Sequence, residues 1–197
     1  MSQLIETIRV AGGHPENLEY HLRRMNDSSQ AVFGDTLHWK PLQVLRDIEL
    51  PKDGVHKLRI VYDRNEHKIT REPYKIRPVR SLKLVIDNQI AYGHKFKNRD
   101  AIERLVNMKG DCDDVLIVRN NSITDVSYAN IIFKKDDQWF TPRSFLLNGT
   151  MRQYLLDCKK IFEAGINTDD ISRYSHFKLI NAMLRDEAPE SEVSNIH

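Results

Sequence analysis

Apolar and polar residues alternate in one stretch of the first half of the chain, which is the pattern of a half-buried β-strand, and three other stretches also favour strands. The stretches are residues 4–10, 56–62, 68–74 and 82–86. In the second of them Leu58, Ile60 and Tyr62 fall on one face. A sheet with one apolar face is therefore predicted in this half.

Apolar residues recur at helical spacing in other stretches and predict helices there. These are residues 17–34, 41–48, 98–108 and 149–162, with a further short helix over 169–172. Gly34 stands where a C-terminal cap belongs, and Pro41 suits the first turn of a helix.

Short apolar runs typical of buried strands appear in the second half of the chain. They lie at residues 115–119, 131–133 and 138–140, whereas residues 175–183 mix strand and helix signals. Asn120-Asn121 favours a hairpin turn after the first run.

Strands with helices, followed by a second mixed set, predict an α+β fold with two lobes. The composition changes at Asp87-Asn88-Gln89. We therefore expect an N-terminal α+β lobe over residues 1–88 and a C-terminal α/β lobe over residues 89–197. A crevice between lobes is a common place for a cofactor.

The overall charge argues against nucleic acid as the main partner. The 197 residues include 30 basic and 28 acidic side chains, a formal net charge of +2. A nucleic-acid-binding protein usually shows a strongly basic face. Basic residues do cluster at 75–83 and 94–99. These clusters are either solvated surfaces or a binding site for a phosphate-bearing ligand.

The two cysteines, Cys112 and Cys158, form no CxxC or Cys/His pattern. Neither a metal site nor a disulfide framework is therefore expected. The N-terminal residues lack the basic segment and apolar run of a signal peptide, and no apolar run approaches membrane-spanning length. We expect a cytoplasmic protein that does not bind membranes.

Two basic segments could hold a phosphate and an aldehyde. Glu-Thr-Ile-Arg at residues 6–9 is followed by His-Leu-Arg-Arg-Met at residues 21–25. Arg24 could hold a phosphate by two parallel charge-assisted bonds, or lie on the polar face of a helix. In His-Lys-Phe-Lys-Asn-Arg at residues 94–99, Lys95 or Lys97 could attack a carbonyl if burial beside cations keeps the amine neutral. The alternative is a lysine in a basic surface loop.

Three later segments add polar groups. Thr-Asp-Val-Ser-Tyr-Ala-Asn at residues 124–130 places Asp125 five residues before Asn130. Leu-Asn-Gly-Thr-Met-Arg-Gln at residues 147–153 opens a predicted helix, and Gly149 allows close approach to its N-terminal amides, which favour phosphate. The last segment is Ile-Asn-Ala-Met at residues 180–183.

Taken together, these five segments resemble the class IV aminotransferase family, the fold type IV enzymes of pyridoxal 5′-phosphate (PLP). The family includes branched-chain and D-amino-acid aminotransferases and 4-amino-4-deoxychorismate lyase. The resemblance covers the chain from Glu6 to Met183. It implies a two-lobed, D-amino-acid aminotransferase-like architecture with PLP between the lobes, a small amino substrate and a homodimer.

The resemblance also implies residue roles. Lys95, selected over Lys97 by the family spacing, would be the catalytic residue and form the Schiff base. Arg24 would bind the phosphate, and Asp125 would hold the pyridine nitrogen in place of the family's longer Glu. The remaining cofactor contacts would be Asn130, Gly149, Thr150, Met151, Asn181 and Ala182. Candidate anchors for a substrate carboxylate are Arg59 and Arg99, with Arg77 and Arg80 left open.

The motifs are most similar to those of aminodeoxychorismate lyase, which releases pyruvate and p-aminobenzoate. A branched-chain or D-amino-acid type aminotransferase is the main alternative. A non-catalytic family member is the other, because Asp125 replaces Glu and relatives carry an extra strand before the Glu-Thr-Ile-Arg segment. The sequence leaves these three open.

Overall fold

The computed structural model describes residues 2–185 and 187–197. Contacts divide the chain into two compact units, Met1–Lys75 with His94–Asn98 and Ile76–Gly93 with Arg99–His197. The predicted boundary at residues 88 and 89 falls within the second unit. Within the described residues no helix is long and apolar enough to cross a bilayer.

A four-stranded antiparallel sheet and two helices form the first unit. The strands are β1 (Leu4–Ala11), β2 (His14–Pro15), β3 (Val55–Tyr62) and β4 (His67–Pro73), in the order β2-β1-β3-β4. The helices are α1 (Leu18–Phe33) and α2 (Pro41–Asp47). As predicted, Gly34 caps α1, with a φ of 73° that suits glycine.

The core of this unit lies on the face of the sheet that α1 covers. Leu4 and Ile8 of β1 and Leu58 of β3 are fully buried there, and Met25 of α1 packs on the same cluster. The alternation predicted from the sequence thus gives the core face, since side chains two residues apart share one side of a strand.

Residues His94–Asn98 belong to the first unit through backbone pairing with β1. The Ile5 N–H donates to the Lys95 carbonyl at 2.9 Å, and the Lys97 N–H donates to the Gln3 carbonyl at 2.8 Å. Phe96 packs on the first-unit core. The segment that carries Lys95 is therefore fixed to the edge of the first sheet.

A mixed sheet of eight strands, counted over the described residues, forms the second unit. Its main order is β10-β9-β8-β7-β6-β5, and β8 also pairs with β11, which pairs with β12. The strands are β5 (Leu82–Ile86), β6 (Asp114–Arg119), β7 (Ser122–Val126), β8 (Asn130–Lys135), β9 (Gln138–Pro142), β10 (Phe162–Ala164), β11 (His176–Ile180) and β12 (Ser191–Glu192). The helices are α3 (Asp100–Val106) and α4 (Thr150–Asp157), with 3-10 helices at Thr168–Arg173 and Val193–Asn195.

The apolar run of β8 is buried on both faces of the sheet. Ile131 and Phe133 join one apolar cluster, whereas Ile132 joins another with Met151 and Leu155 of α4. A strand covered on both sides needs apolar residues at every position rather than alternation. The residues Ile-Ile-Phe of β8 meet that need.

The helix predicted over residues 149–162 is wrong beyond Asp157. Lys159 has a φ of 55°, and its N–H donates to the Leu156 carbonyl while the Lys160 N–H donates to the Leu155 carbonyl. These two bonds form a Schellman ending, which usually contains glycine. Because lysine stands there instead, no residue type marked the end of the helix. Phe162–Ala164 forms β10, parallel to β9.

Candidate active site

A buried carboxylate lies at the centre of the first unit's polar network. Glu6 of β1 has 1% of its surface exposed, although it points to the apolar face between Leu4 and Ile8. Arg24 of α1 donates to it through Nε at 2.8 Å and Nη2 at 2.6 Å. His21 Nδ1 lies 2.7 Å from Glu6 Oε2.

The two partners keep Glu6 ionised. Burial alone would raise the pKa of Glu6, but the Arg24 guanidinium and the hydrogen bonds from His21 and Arg24 lower it to about 2. The ionised Glu6 therefore fixes the plane of the Arg24 guanidinium through its Nε and Nη2 atoms.

His21 is neutral and its tautomer is set by Glu6. Burial lowers the pKa of the ring, and the charges of Arg24 and Lys95 lower it further against the opposing effect of Glu6. Since Nδ1 faces an ionised carboxylate, the proton lies on Nδ1 and Nε2 carries a lone pair. Within the described residues Nε2 is buried without a hydrogen-bond partner.

The segment of Lys95 lies along the strand that carries Glu6, because the Ile5 N–H, one residue before Glu6, donates to the Lys95 carbonyl. Lys95 itself is half-buried. Lys95 and Arg24 thus belong to the same unit, in which Glu6 and His21 bind Arg24. The role of Lys95 as the Schiff-base residue stays a prediction.

Arg59 lies on the opposite face of the first sheet. It pairs in register with Thr7, whereas Glu6 pairs with Ile60, and neighbouring residues of a strand point to opposite faces. The role of Arg59 as a carboxylate anchor stays a prediction.

In the second unit Asp125 is buried at the end of β7 and accepts bonds from three groups. Its Oδ2 accepts from the backbone N–H groups of Leu146 and Leu147, each at 2.9 Å. Its Oδ1 accepts from Asn130 Nδ2 at 2.8 Å. Burial raises the pKa of Asp125 to about 6, against the lowering effect of these bonds.

Asn130 links Asp125 to the start of α4. Its Nδ2 also donates to the Leu147 carbonyl at 3.0 Å. A Cβ added to Gly149 would lie 2.0 Å from Asn130 Oδ1, which is far inside van der Waals contact. Glycine is therefore required at 149 by close packing rather than by its backbone angles.

The N-terminus of α4 offers donors for an anion. Gly149 precedes it without a side-chain cap, and the Gln153 N–H donates to the Gly149 carbonyl at 3.0 Å. The amides of residues 150–152 precede the first helical bond and point along the helix axis. The side chains of Thr150 and Met151 are buried, so Met151 can contribute through its backbone alone.

Arg152 is a structural residue that sequence reasoning left without a role. It is 3% exposed and donates to Glu163 Oε1 at 2.6 Å and to the Pro142 carbonyl at 3.1 Å. Its guanidinium also lies 4.7 Å from the ring centre of Phe145. Arg152 thus holds the chain on both sides of α4.

Two further predicted residues stabilise turns. Asn181 Oδ1 accepts from the N–H groups of Met183 and Leu184, each at 2.9 Å, and so fixes the turn that contains Ala182. Arg99 donates to the Ser127 carbonyl at 2.7 Å. Whether Asn181, Ala182 and Arg99 also meet a ligand stays a prediction.

These groups fit a phosphate-bearing aldehyde cofactor by their chemistry. In the first unit Arg24 suits a phosphate, Lys95 supplies an amine, and His21 Nε2 is a buried nitrogen without a partner. In the second unit the amides at the start of α4 suit an anion. Asp125 Oδ1 accepts one bond from Asn130 and retains a second lone pair that a pyridinium N–H could use. In the described residues no group of three or more metal-ligating side chains occurs.

Sequence and structure comparisons agree with this assignment. A model of the family Amino-transferase class IV matches residues 3–185. A Haemophilus influenzae protein, named only as uncharacterized, is 32% identical over 186 residues, which are 93% of this chain and 98% of that protein.

Solved structures share the fold. A candidate 4-amino-4-deoxychorismate lyase from Haemophilus somnus 129pt is 32% identical, with a TM-score of 0.85 over 93% of this chain and 97% of that one. An aminotransferase from Brucella abortus bound to PLP is 13% identical, with a TM-score of 0.76 over 98% and 81% of the two chains. The fold is therefore the α+β architecture of fold type IV PLP enzymes, as predicted. The chain belongs to the class IV aminotransferase family and is an enzyme, either a lyase or an aminotransferase.

Proposed function

We propose that the chain is a PLP-dependent enzyme with the activity of an aminodeoxychorismate lyase, which releases pyruvate and p-aminobenzoate. The observation that carries the proposal is the pairing of the Lys95 segment with β1 next to Glu6, the buried carboxylate that binds Arg24 and His21. The 32% identity with the candidate lyase of Haemophilus somnus, over nearly all of both chains, favours the lyase over an aminotransferase.

Each residue has a defined task in this proposal. Bound PLP supplies a ring that stabilises negative charge on the carbon beside the substrate nitrogen. Lys95 would hold the cofactor through its side-chain amine, and the same amine is the group that would accept and return a proton. Arg24 is the phosphate contact of the first unit, and the free amides of residues 150–152, after Gly149, are the cofactor contacts of the second unit.

Asp125 serves the ring nitrogen in the proposal. An ionised carboxylate accepts a hydrogen bond from a pyridinium and keeps it protonated. Although burial raises the pKa of Asp125 to about 6, the carboxylate is mainly ionised at neutral pH. Asn130 orients it through the bond to Oδ1.

Covalent labelling tests the site of attachment. The purified chain is incubated with PLP, reduced with borohydride and mapped by peptide mass. We expect the label on Lys95 and its loss in Lys95→Ala. Lys97→Ala is the matched control, because Lys97 lies two residues away and must leave labelling unchanged. Label on Lys97, or none on the wild type, would contradict the proposal.

Product analysis separates the two reactions. A lyase releases pyruvate from aminodeoxychorismate without an acceptor, whereas an aminotransferase cycles between the absorbance bands of PLP and its amine form when given an amino acid and a 2-oxo acid. Cofactor binding with neither activity would identify a non-catalytic member.

We also propose a homodimer in the cytoplasm, with a small amino compound as substrate. Analytical ultracentrifugation tests the assembly: a dimer at micromolar concentration is expected, and a monomer throughout would refute it.

A further inference from the structure

The first unit contains a cavity of about 370 Å³ that the proposed reaction does not use. Leu22 and Asn26 of α1 form one wall. At 100° per residue along a helix, both point about 160° away from Arg24. The cavity is therefore on the opposite side of α1 from the Glu6 network.

Most of the cavity surface is apolar. Leu22 faces Leu37, Pro41 and Leu42 across it. Leu42 has 38% of its surface exposed, one of the larger apolar exposures in the described residues. A mostly apolar cavity of this size is at the lower end of the range of about 300–1,000 Å³ for small-molecule sites. It suits a ligand with a single ring.

Trp39 provides a flat wall that is already fixed. Its indole N–H donates to the Asp63 carbonyl at 3.3 Å, and its ring stacks on His67 with centres 4.2 Å apart. The edge contact with Tyr62 has centres 6.1 Å apart. With its N–H engaged, Trp39 can offer a ligand its ring alone, which favours an aromatic partner.

The polar side chains that line the cavity favour a negatively charged ligand. Lys40 lines it and, in the part of the chain that the structure describes, forms no ion pair. Asn26 adds an amide that can donate a hydrogen bond. A cation and an amide among otherwise apolar lining residues suit a flat apolar ligand that carries one carboxylate.

We propose that this cavity binds a small aromatic monocarboxylate, with its ring against Trp39 and its carboxylate at Lys40. The p-aminobenzoate of the proposed lyase reaction belongs to this chemical class. The binding site, however, does not depend on that reaction.

Tryptophan fluorescence tests the site, because the chain has two tryptophans, Trp39 and Trp139. In the full chain carrying Trp139→Phe, with and without PLP, benzoate should quench the remaining signal with a Kd on the order of 1 mM. The Trp39→Phe chain should show no quenching by benzoate.

The charge requirement has its own controls. Lys40→Met should weaken benzoate about fivefold, the size of one exposed ion pair, and leave neutral benzamide unchanged. Lys68→Met removes an exposed lysine of the same unit that does not line the cavity, and should change neither ligand.

Three results would overturn the proposal. The first is no quenching at benzoate concentrations well above 1 mM, a value on the order of the expected Kd. The second is equal binding of benzamide and benzoate. The third is a Trp39 fluorescence that changes with protein concentration and not with benzoate, which would place a second copy of the chain in the cavity. Because the readout is fluorescence rather than turnover, each of these results leaves the lyase proposal standing, and loss of PLP labelling at Lys95 would leave this site standing.

Discussion

Glu6→Gln should destabilise the protein strongly although it changes few atoms. The glutamine keeps the size of the side chain but removes the charge that pairs with Arg24 and His21. Glu6 is 1% exposed, so water cannot replace the lost partner. Removing one member of a buried ion pair leaves the other charge uncompensated, which typically costs about 3–5 kcal/mol.

The pKa of Glu6 gives an independent magnitude. Its lowering from 4.5 to about 2 corresponds to about 3 kcal/mol, at about 1.4 kcal/mol for each pKa unit. Because the pKa is lower in the folded protein, this stability is fully present above pH 4.5. It is lost as the pH falls toward 2. The difference between wild type and Glu6→Gln should therefore be about 3 kcal/mol at pH 7 and shrink below pH 4.5.

Urea unfolding followed by circular dichroism measures this difference. The matched control is Glu72→Gln, since Glu72 of β4 pairs with Lys57 of β3 in the same sheet but is 62% exposed. An exposed pair contributes much less, because water screens its charges. Equal destabilisation by the two substitutions, or a difference that does not change with pH below 4.5, would refute the reasoning.

Four other substitutions, in three predictions, test the second unit. Gly149→Ala should displace Asn130 and lower both stability, by more than about 1 kcal/mol, and PLP retention, which calorimetry and absorbance measure. Burial raises the pKa of Asp125 from 3.8 to about 6, so the folded protein loses stability as the pH rises through this range. Relative to Asp125→Asn, the wild type should lose about 3 kcal/mol between pH 3.8 and pH 6. Urea unfolding measures the difference, and a difference that stays constant with pH would contradict this. Arg152→Met should lower the melting temperature more than Glu163→Gln, because the arginine is buried and the glutamate is 41% exposed.

Much of the fold could be predicted from periodicity. The alternation of residues 56–62 identified the apolar face of β3, and Gly34 marked the end of α1. The prediction of the end of α4 was wrong, because no glycine or proline marks that end. Lys159 adopts a left-handed conformation that lysine rarely takes, so the end of α4 could not be read from residue type.

The first unit's site could have been predicted further than it was. Glu6 occupies the apolar face of an alternating strand, between Leu4 and Ile8, and a carboxylate at such a position requires a buried cation. His21 and Arg24, three residues apart on a helix, share a face and could have been named as its partners. The alternation of β1 and the helical spacing of α1 were therefore sufficient to predict the Glu6 network, whereas the resemblance assigned a role only to Arg24.

Asp125 shows what residue patterns cannot supply. Its spacing from Asn130 identified the acid, but its main partners are the backbone amides of Leu146 and Leu147, in a stretch with no periodicity. A backbone amide is present at every residue except proline, so no residue type indicates which amides a carboxylate will meet. The shorter side chain of Asp, at the end of buried β7, reaches these amides and Asn130 together. Asp125, where the family has Glu, can therefore fix residues 146 and 147 before α4 and still keep one lone pair of Oδ1 for a ligand.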